Sequence, residues 1–251
     1  MSDPSSLSEQ FKRAMAIAWK DIRIYYGKGP VVIIGLLLPA FLFLSFSIGR
    51  NLSPVAMMPG LIGMALFFTA ASMSPIITPF ESQARTLERL MAAPVSFQVI
   101  ILGDIIASFL FGLLVSLLPV VATFILGITI SNLLIFTLAI ILGALCFSAL
   151  GNVFSIPPTS TPQTANMLAS SIKFPLVFIS GVFIPLGDLP FWGRILSYFS
   201  PITYFTDIAR HSIQGNGYLP VALDFAALIG FTVLFIVLSM RLHEKTMPKR
   251  I

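Results

Sequence analysis

The residues able to do acid–base, nucleophilic or coordination chemistry are few and scattered. The chain of 251 residues has 10 carboxylates, 2 histidines and 1 cysteine. His211 and His243 are far apart, and Cys146 sits alone in an apolar run, so no His/Cys spacing suits a metal. The Gly-x-x-x-x-Gly-Lys-Ser/Thr loop that cradles phosphates is absent, as is a Gly-x-Ser-x-Gly nucleophile elbow. Asp104 and Asp224 lie within apolar runs, where carboxylates can relay protons. Each is near the end of its run, with no evident basic or acidic partner in another run. The expectation is a chain that is no enzyme by itself, with no metal site and no cofactor of its own.

The densest patterning of charge is in Thr-Pro-Phe-Glu-Ser-Gln-Ala-Arg-Thr-Leu-Glu-Arg-Leu-Met-Ala-Ala, residues 78–93. Thr78 can cap, Pro79 suits a first helical position, and Glu81 completes a capping box. Glu81 and Arg85 stand four apart in the favourable order. Phe80, Ala84, Leu87 and Met91 form an apolar stripe, and Pro94 ends the element. The pattern predicts a rigid amphipathic helix over 79–92. It serves either as a solvated connector or as a rod that docks in a groove of a soluble partner, with Phe80, Leu87 and Met91 as anchors and Glu81, Arg85, Glu88 and Arg89 setting its orientation.

The elements that must hold this segment are apolar. Hydrophobic residues make up 57% of the chain and charged ones 10%, against about 25% charged in ordinary globular domains. Six continuous stretches, 31–49, 55–77, 99–126, 133–154, 167–186 and 221–240, each approach the roughly 20 residues that a helix needs to cross a bilayer. Continuous rather than alternating apolarity favours helices over a β-barrel. The fold class expected is all-α, a single multi-pass domain with six membrane spans. The net charge of +5 reflects basic residues at membrane edges, where they set topology and meet anionic lipid, rather than nucleic-acid binding. With both termini in the cytoplasm, eleven of the 15 Lys and Arg residues lie inside, as the positive-inside rule requires. Cys146, mid-span, reads as a small packing residue.

Two further segments are neither span nor simple loop. Residues 8–28 place Phe11, Met15, Ala18, Trp19, Ile22, Tyr25 and Tyr26 on one arc and Lys12, Arg13, Lys20 and Arg23 on the other, the pattern of an interfacial helix. Ile17 and Ile24 lie off the lipid arc and would suit contact with a cytoplasmic partner. Residues 187–219 are too polar for a span yet rich in aromatics: Phe191, Trp192, Tyr198, Phe199, Tyr204 and Phe205. Asp188 before Pro190 and Ser200 before Pro201 are helix-start signals, and Gly215-Asn-Gly217 is a stop. These predict two short helices within 188–214, either re-entrant or lying on the outer surface.

Three motifs carry a resemblance. Thr86-Leu-Glu-Arg-Leu-Met-Ala-Ala-Pro-Val-Ser96 resembles the segment after the second span of type-2 permeases of ATP-binding-cassette (ABC) exporters. Phe174-Pro-Leu-Val-Phe-Ile-Ser-Gly-Val-Phe-Ile-Pro185 is similar to that family's fifth span. Pro201-Ile-Thr-Tyr204 with Asp207 and Arg210 looks like its Pro-Leu-Thr-Tyr stretch before the sixth. The three occur in order across nearly the whole chain, and the subgroup most similar is that of drug, lipooligosaccharide and polysaccharide exporters. The resemblance implies a half-transporter: a permease homodimer in the cell membrane with two copies of a separate ABC ATPase subunit, which carries ATP and Mg. It implies that 79–92 is the coupling helix, 8–28 the elbow, and Phe191, Trp192, Pro201, Tyr204, Asp207 and Arg210 part of a re-entrant outer gate. Transport would be by alternating access, of a hydrophobic or amphipathic drug, lipid or glycoconjugate. The other readings are an ion- or proton-coupled carrier acting without ATPase subunits, and a non-transporting membrane scaffold.

Overall fold

Serine or threonine followed by proline punctuates the chain. Such a pair puts a hydroxyl where it can accept the orphan amides of a first turn, and a fixed φ where the missing N–H costs nothing. The computed structural model describes residues 7–25, 53–84, 96–157, 159 and 161–246, with six isolated positions between 37 and 48. The first apolar stretch, 31–49, and residues 85–92 of the expected coupling helix therefore lie outside the described residues, apart from those isolated positions. Among the described residues there is no strand, and nine α-helices follow in order. They are α1 (Leu7–Tyr25), α2 (Pro54–Ala70), α3 (Ser74–Gln83), α4 (Phe97–Ile125), α5 (Leu133–Phe154), α6 (Pro162–Ile179), α7 (Phe191–Ser197), α8 (Pro201–Gln214) and α9 (Val221–Thr246). Ser53-Pro54, Ser74-Pro75, Thr161-Pro162 and Ser200-Pro201 open four of them. Ser53 accepts from the amide of Ala56 and Thr161 from that of Thr164, each at 3.3 Å. Gly215, at φ +77°, ends α8 in the left-handed conformation that glycine adopts without strain.

Among the described residues, four segments are long and apolar enough to cross a membrane: Pro54–Glu81, Gln98–Ile125, Leu133–Phe154 and Val221–Glu244. The first is 94% buried inside the protein, and the last only 22%. So α2 is the axis around which the other helices stand, while α9 offers most of its surface to the surroundings. The fifth apolar stretch is displaced from its expected limits. Helix α6 starts at Pro162 and stops at Ile179, because Gly181 turns the backbone at φ +74° and Leu186–Asp188 forms a 3-10 turn.

Helix packing relies on small residues meeting backbone or ring, the usual solution where lipid removes the hydrophobic drive to associate. A β-carbon on Gly151 of α5 would stand 2.8 Å from the Ala71 α-carbon, and one on Gly112 of α4 2.8 Å from the Ala70 β-carbon. Around α2 the core is aromatic. Phe67 meets Phe147 edge-on at 5.2 Å, and Phe147 meets Phe205 at 5.9 Å. Cys146 is fully buried in the same core.

Candidate functional site

The second apolar stretch is not one helix. Between Ala70 and Ser74 the α-helix breaks, and α3 resumes at Ser74 and runs through Pro79 to Gln83. The expected start at Thr78-Pro79 is therefore displaced. The same Ser/Thr-Pro signal occurs four residues earlier, at Ser74-Pro75, and the chain uses that one. Pro79 sits inside the helix, where it forfeits only the bond to the carbonyl of residue 75. Met73 and Ile77, with Phe80 alongside, pack with Ala18 of α1 and Ala107 of α4.

Three elements meet where α3 ends. Lys20 of α1 bonds to Glu81 of α3 and lies 3.0 Å from Asp21. The Asp21 side chain is fully buried and Glu81 is 4% exposed. Asp104 of α4 stands near enough to Asp21 for the two carboxyl groups to act on each other electrostatically. Burial raises the Asp21 carboxyl above the ordinary aspartate range, although the Lys20 charge pulls it back down. Burial alone would lower the Lys20 ammonium, but the charges of Asp21 and Glu81 outweigh it and raise it above the ordinary lysine range. The junction thus holds three acids and one base.

Helix α1 reaches this junction by turning Ala14, Ile17, Ala18 and Asp21 inward. A β-carbon on Gly103 of α4 would be 2.8 Å from Ile17, so the two helices touch backbone to side chain. This corrects the expectation for Ile17, which is buried on α4 and not free for another partner. Phe11, Met15 and Trp19 stay exposed, and Trp19 helps line an apolar groove of about 420 Å³ with Met15, Ile22 and Leu110.

At α8 the expected gate residues divide. Phe191 and Trp192 are 78% and 68% exposed on α7, whereas Pro201, Tyr204, Asp207 and Arg210 are buried on α8. Phe205 is wedged between α2 and α5: β-carbons on Gly63 and Gly143 would lie 3.3 Å and 2.6 Å from its ring. Asp207 accepts from the amides of Tyr218 and Leu219 at 2.9 and 2.7 Å, pinning the approach to α9. Arg210 donates to the carbonyls of Gly181 and Val182 at 2.5 and 3.5 Å, pinning the turn after α6. Tyr204 donates to the Tyr198 carbonyl at 2.8 Å. Helix α8 is thus a plug whose polar residues fix the ends of α6 and α9 against it.

The broken α2–α3 axis, the docked α1 and the plug α8 lie within a single family match. Residues 9–213 match the model of the ABC-2 type transporter family. The chain belongs to that family. Its relatives include the inner membrane transport permease YadH of Escherichia coli strain K12, 28% identical over 192 residues that cover 74% of this chain and 73% of that protein. A YadH of Shigella flexneri matches to the same extent. The probable multidrug ABC transporter permease YbhR of E. coli K12 is 23% identical over 154 residues, 61% of this chain and 42% of that protein.

As an ABC-2 permease the chain is a transmembrane subunit of an ABC transporter, and its family implies pairing with an ABC ATPase subunit. Of the residues expected to meet that subunit, Phe80 and Glu81 are in α3, and Arg85, Leu87, Glu88, Arg89 and Met91 lie outside the described residues. The sequence reading missed the partners of Glu81 and Asp104. Lys20 had been placed on the polar arc of α1, and Asp21 carried no assignment. The available signal was a lysine–aspartate pair on the arc of a helix whose neighbouring alanines are too small to face lipid usefully.

Proposed function

We propose that this chain is the permease of an ATP-driven exporter that moves a hydrophobic or amphipathic substrate across the cytoplasmic membrane by alternating access. Two permease copies and two ATPase subunits form the working assembly. ATP and Mg are held by the ATPase subunits, and both termini of this chain face the cytoplasm. The multidrug description of the YbhR relative supports a hydrophobic substrate.

One observation carries the coupling role: the end of α3 is fastened to α1 by the half-buried Lys20–Glu81 pair, two residues before Gln83. The segment beginning at Ala84 hangs from a fixed point. A push on residues 85–92 by a closing ATPase pair is therefore delivered to α1, α3 and α4 together rather than lost in a slack loop. ATP-driven closure need only bind one state of this segment better than the other to shift the equilibrium. Leu87→Asp tests the assignment in proteoliposomes containing the ATPase. It should leave membrane insertion intact and abolish substrate-stimulated ATP hydrolysis; normal export by this variant would defeat the reading.

The buried acids Asp21 and Glu81, with the half-buried Asp104, favour one other reading, a proton-coupled carrier. A carrier purifies alone and responds to an imposed pH gradient; the permease proposed here purifies with an ATPase and does not.

A further inference from the structure

Helix α6 carries a lysine with no counter-charge. Lys173 is fully buried, donates to the Ser72 hydroxyl at 2.8 Å and stands 6.0 Å from the Phe68 ring centre. Among the described residues no carboxylate pairs with it. Lysine is almost never fully buried unpaired, and an ionisable group within an apolar bundle marks a functional site whose partner has to be named. An ammonium has three donors, and Ser72 takes one.

What Lys173 faces is the break between α2 and α3. Ala71 and Ser72 still donate to Phe67 and Thr69, and the amides of Ile76 and Ile77 both return to the Met73 carbonyl. Among the described residues the amides of Met73 and Ser74 donate to nothing, although both residues are buried. Asn152, next to the Gly151 that packs on Ala71, also keeps a buried Nδ2 donor without a partner. A half-helix N-terminus inside a membrane bundle carries partial positive charge and is the arrangement that receives anionic groups in transporters. Here it coincides with a lysine that lacks an anion. Spare donors and a buried amine without a carboxylate leave one need unmet, a group with negative oxygens.

We infer that the α2–α3 break and Lys173 form the binding point for the anionic group, phosphate or carboxylate, of an amphiphilic substrate whose apolar part lies against the surrounding Phe residues. This rests on the transport function proposed above and narrows its substrate class. In the conformation seen, Lys173 is closed off and Ser72 stands in for the anion. Parting of α3 from α6 would open the site, and that is the movement a pull on the end of α3 produces.

The full-length permease, purified in detergent with any ATPase that accompanies it, is titrated with three probes. These are fluorescent NBD-lysophosphatidic acid, NBD-lysophosphatidylcholine, and inorganic phosphate as competitor, with anisotropy as readout. The native protein should bind the anionic lipid about tenfold more tightly than the zwitterionic one, and millimolar phosphate should not displace it. Lys173→Met should erase the difference between the lipids, and Lys173→Arg should keep it. Equal binding of both lipids by the native protein overturns the inference without recourse to any variant. So does an unchanged preference in Lys173→Met, or displacement by phosphate alone, which would leave no role for the tail. Because binding is measured without ATP, a permease that prefers the anionic lipid yet purifies without an ATPase would refute the transport mechanism and not this site.

Discussion

Removing Lys20 should do more damage than removing Glu81, although the two form one ion pair. In Lys20→Met the Glu81 carboxylate, 4% exposed, loses the Lys20 ammonium while standing beside two further acids. Breaking a fully buried pair in this way costs about 3–5 kcal/mol. The Lys20 side chain is 31% exposed, so some water already reaches the pair and about 2–3 kcal/mol is the figure to expect. In Glu81→Gln the lysine still has Asp21 at 3.0 Å and partial access to water, so the loss is about 1 kcal/mol. The double variant carries no charge at either position and should be less damaged than the sum of the singles, by about 1 kcal/mol.

The assay is thermal loss of the monodisperse peak in detergent, with the fluorescence of Trp19, one residue from Lys20, reporting whether α1 leaves the bundle. Uncoupling should follow the same order, with Lys20→Met and the double variant alike and both above Glu81→Gln, when ATPase stimulation is measured in proteoliposomes. Strict additivity, within about 0.5 kcal/mol, would show that the two side chains do not act on each other. The account of α3 as anchored to α1 would then fail even with every variant folded.

Four further outcomes follow from the packing and the charges. Phe205→Ala should cost about 3–5 kcal/mol in detergent stability. Gly143→Ala should cost about 1–3 kcal/mol by forcing a β-carbon to 2.6 Å from that ring, and Phe205→Leu should partly rescue it in thermal melts. Asp207→Asn should weaken the clamp on the Tyr218 and Leu219 amides by about 1–2 kcal/mol, visible as faster amide hydrogen exchange at the start of α9. The raised pKa of Asp21 gives a pH dependence of definite sign. Its ionised form is disfavoured in the folded protein, so the cost is present above the raised value and disappears as pH falls through it. Docking of α1, followed by Trp19 between pH 8 and pH 5, should tighten on acidification, and Asp21→Asn should flatten the profile.

Much of this architecture was legible because lipid imposes strict local rules. Long apolar runs announce α4, α5 and α9 directly, and Ser200-Pro201 with Gly215 bounds α8 to the residue. The failures have a common cause. A Ser/Thr-Pro pair signals a helix start wherever it falls, and Ser74-Pro75 competes with Thr78-Pro79 four residues away. Local chemistry cannot choose between them; the tight seat of Ala70 and Ala71 against Gly112 and Gly151 can. Likewise the amphipathic arc of α1 separates lipid from water correctly for Phe11 and Trp19 but says nothing of a third, protein-facing side. The Ala14–Ile17–Ala18–Asp21 row declares itself only once Gly103 is brought alongside. Lys173, Ser72 and Asp104 are separated by tens of residues from what they touch, so spacing in the chain carries no trace of those contacts.

The positions of these contacts along α3 matter more than their number. The helix has ten residues, about 15 Å of rigid rod. Its first turn is held by Ser74 to Ser108 of α4 at 3.1 Å and, through Ser72, by Lys173 of α6. Its last turn is held by Lys20 of α1, and between them Ile77 and Phe80 pack with Ala18 and Ala107. Apolar contacts permit sliding, because any displaced methyl finds another, whereas a hydrogen bond or ion pair in a dry interior is either made or lost. A rod fastened by polar contacts at both ends and greased between them moves between discrete positions. A pull at Gln83 that leaves the Lys20 pair intact is relieved at the other end by breaking the polar contacts there, Ser74 with Ser108 and Ser72 with Lys173. On this argument the substrate's anion and the rod's first turn compete for one ammonium. Anion binding and displacement of α3 are then linked, and each must favour the other by the same factor.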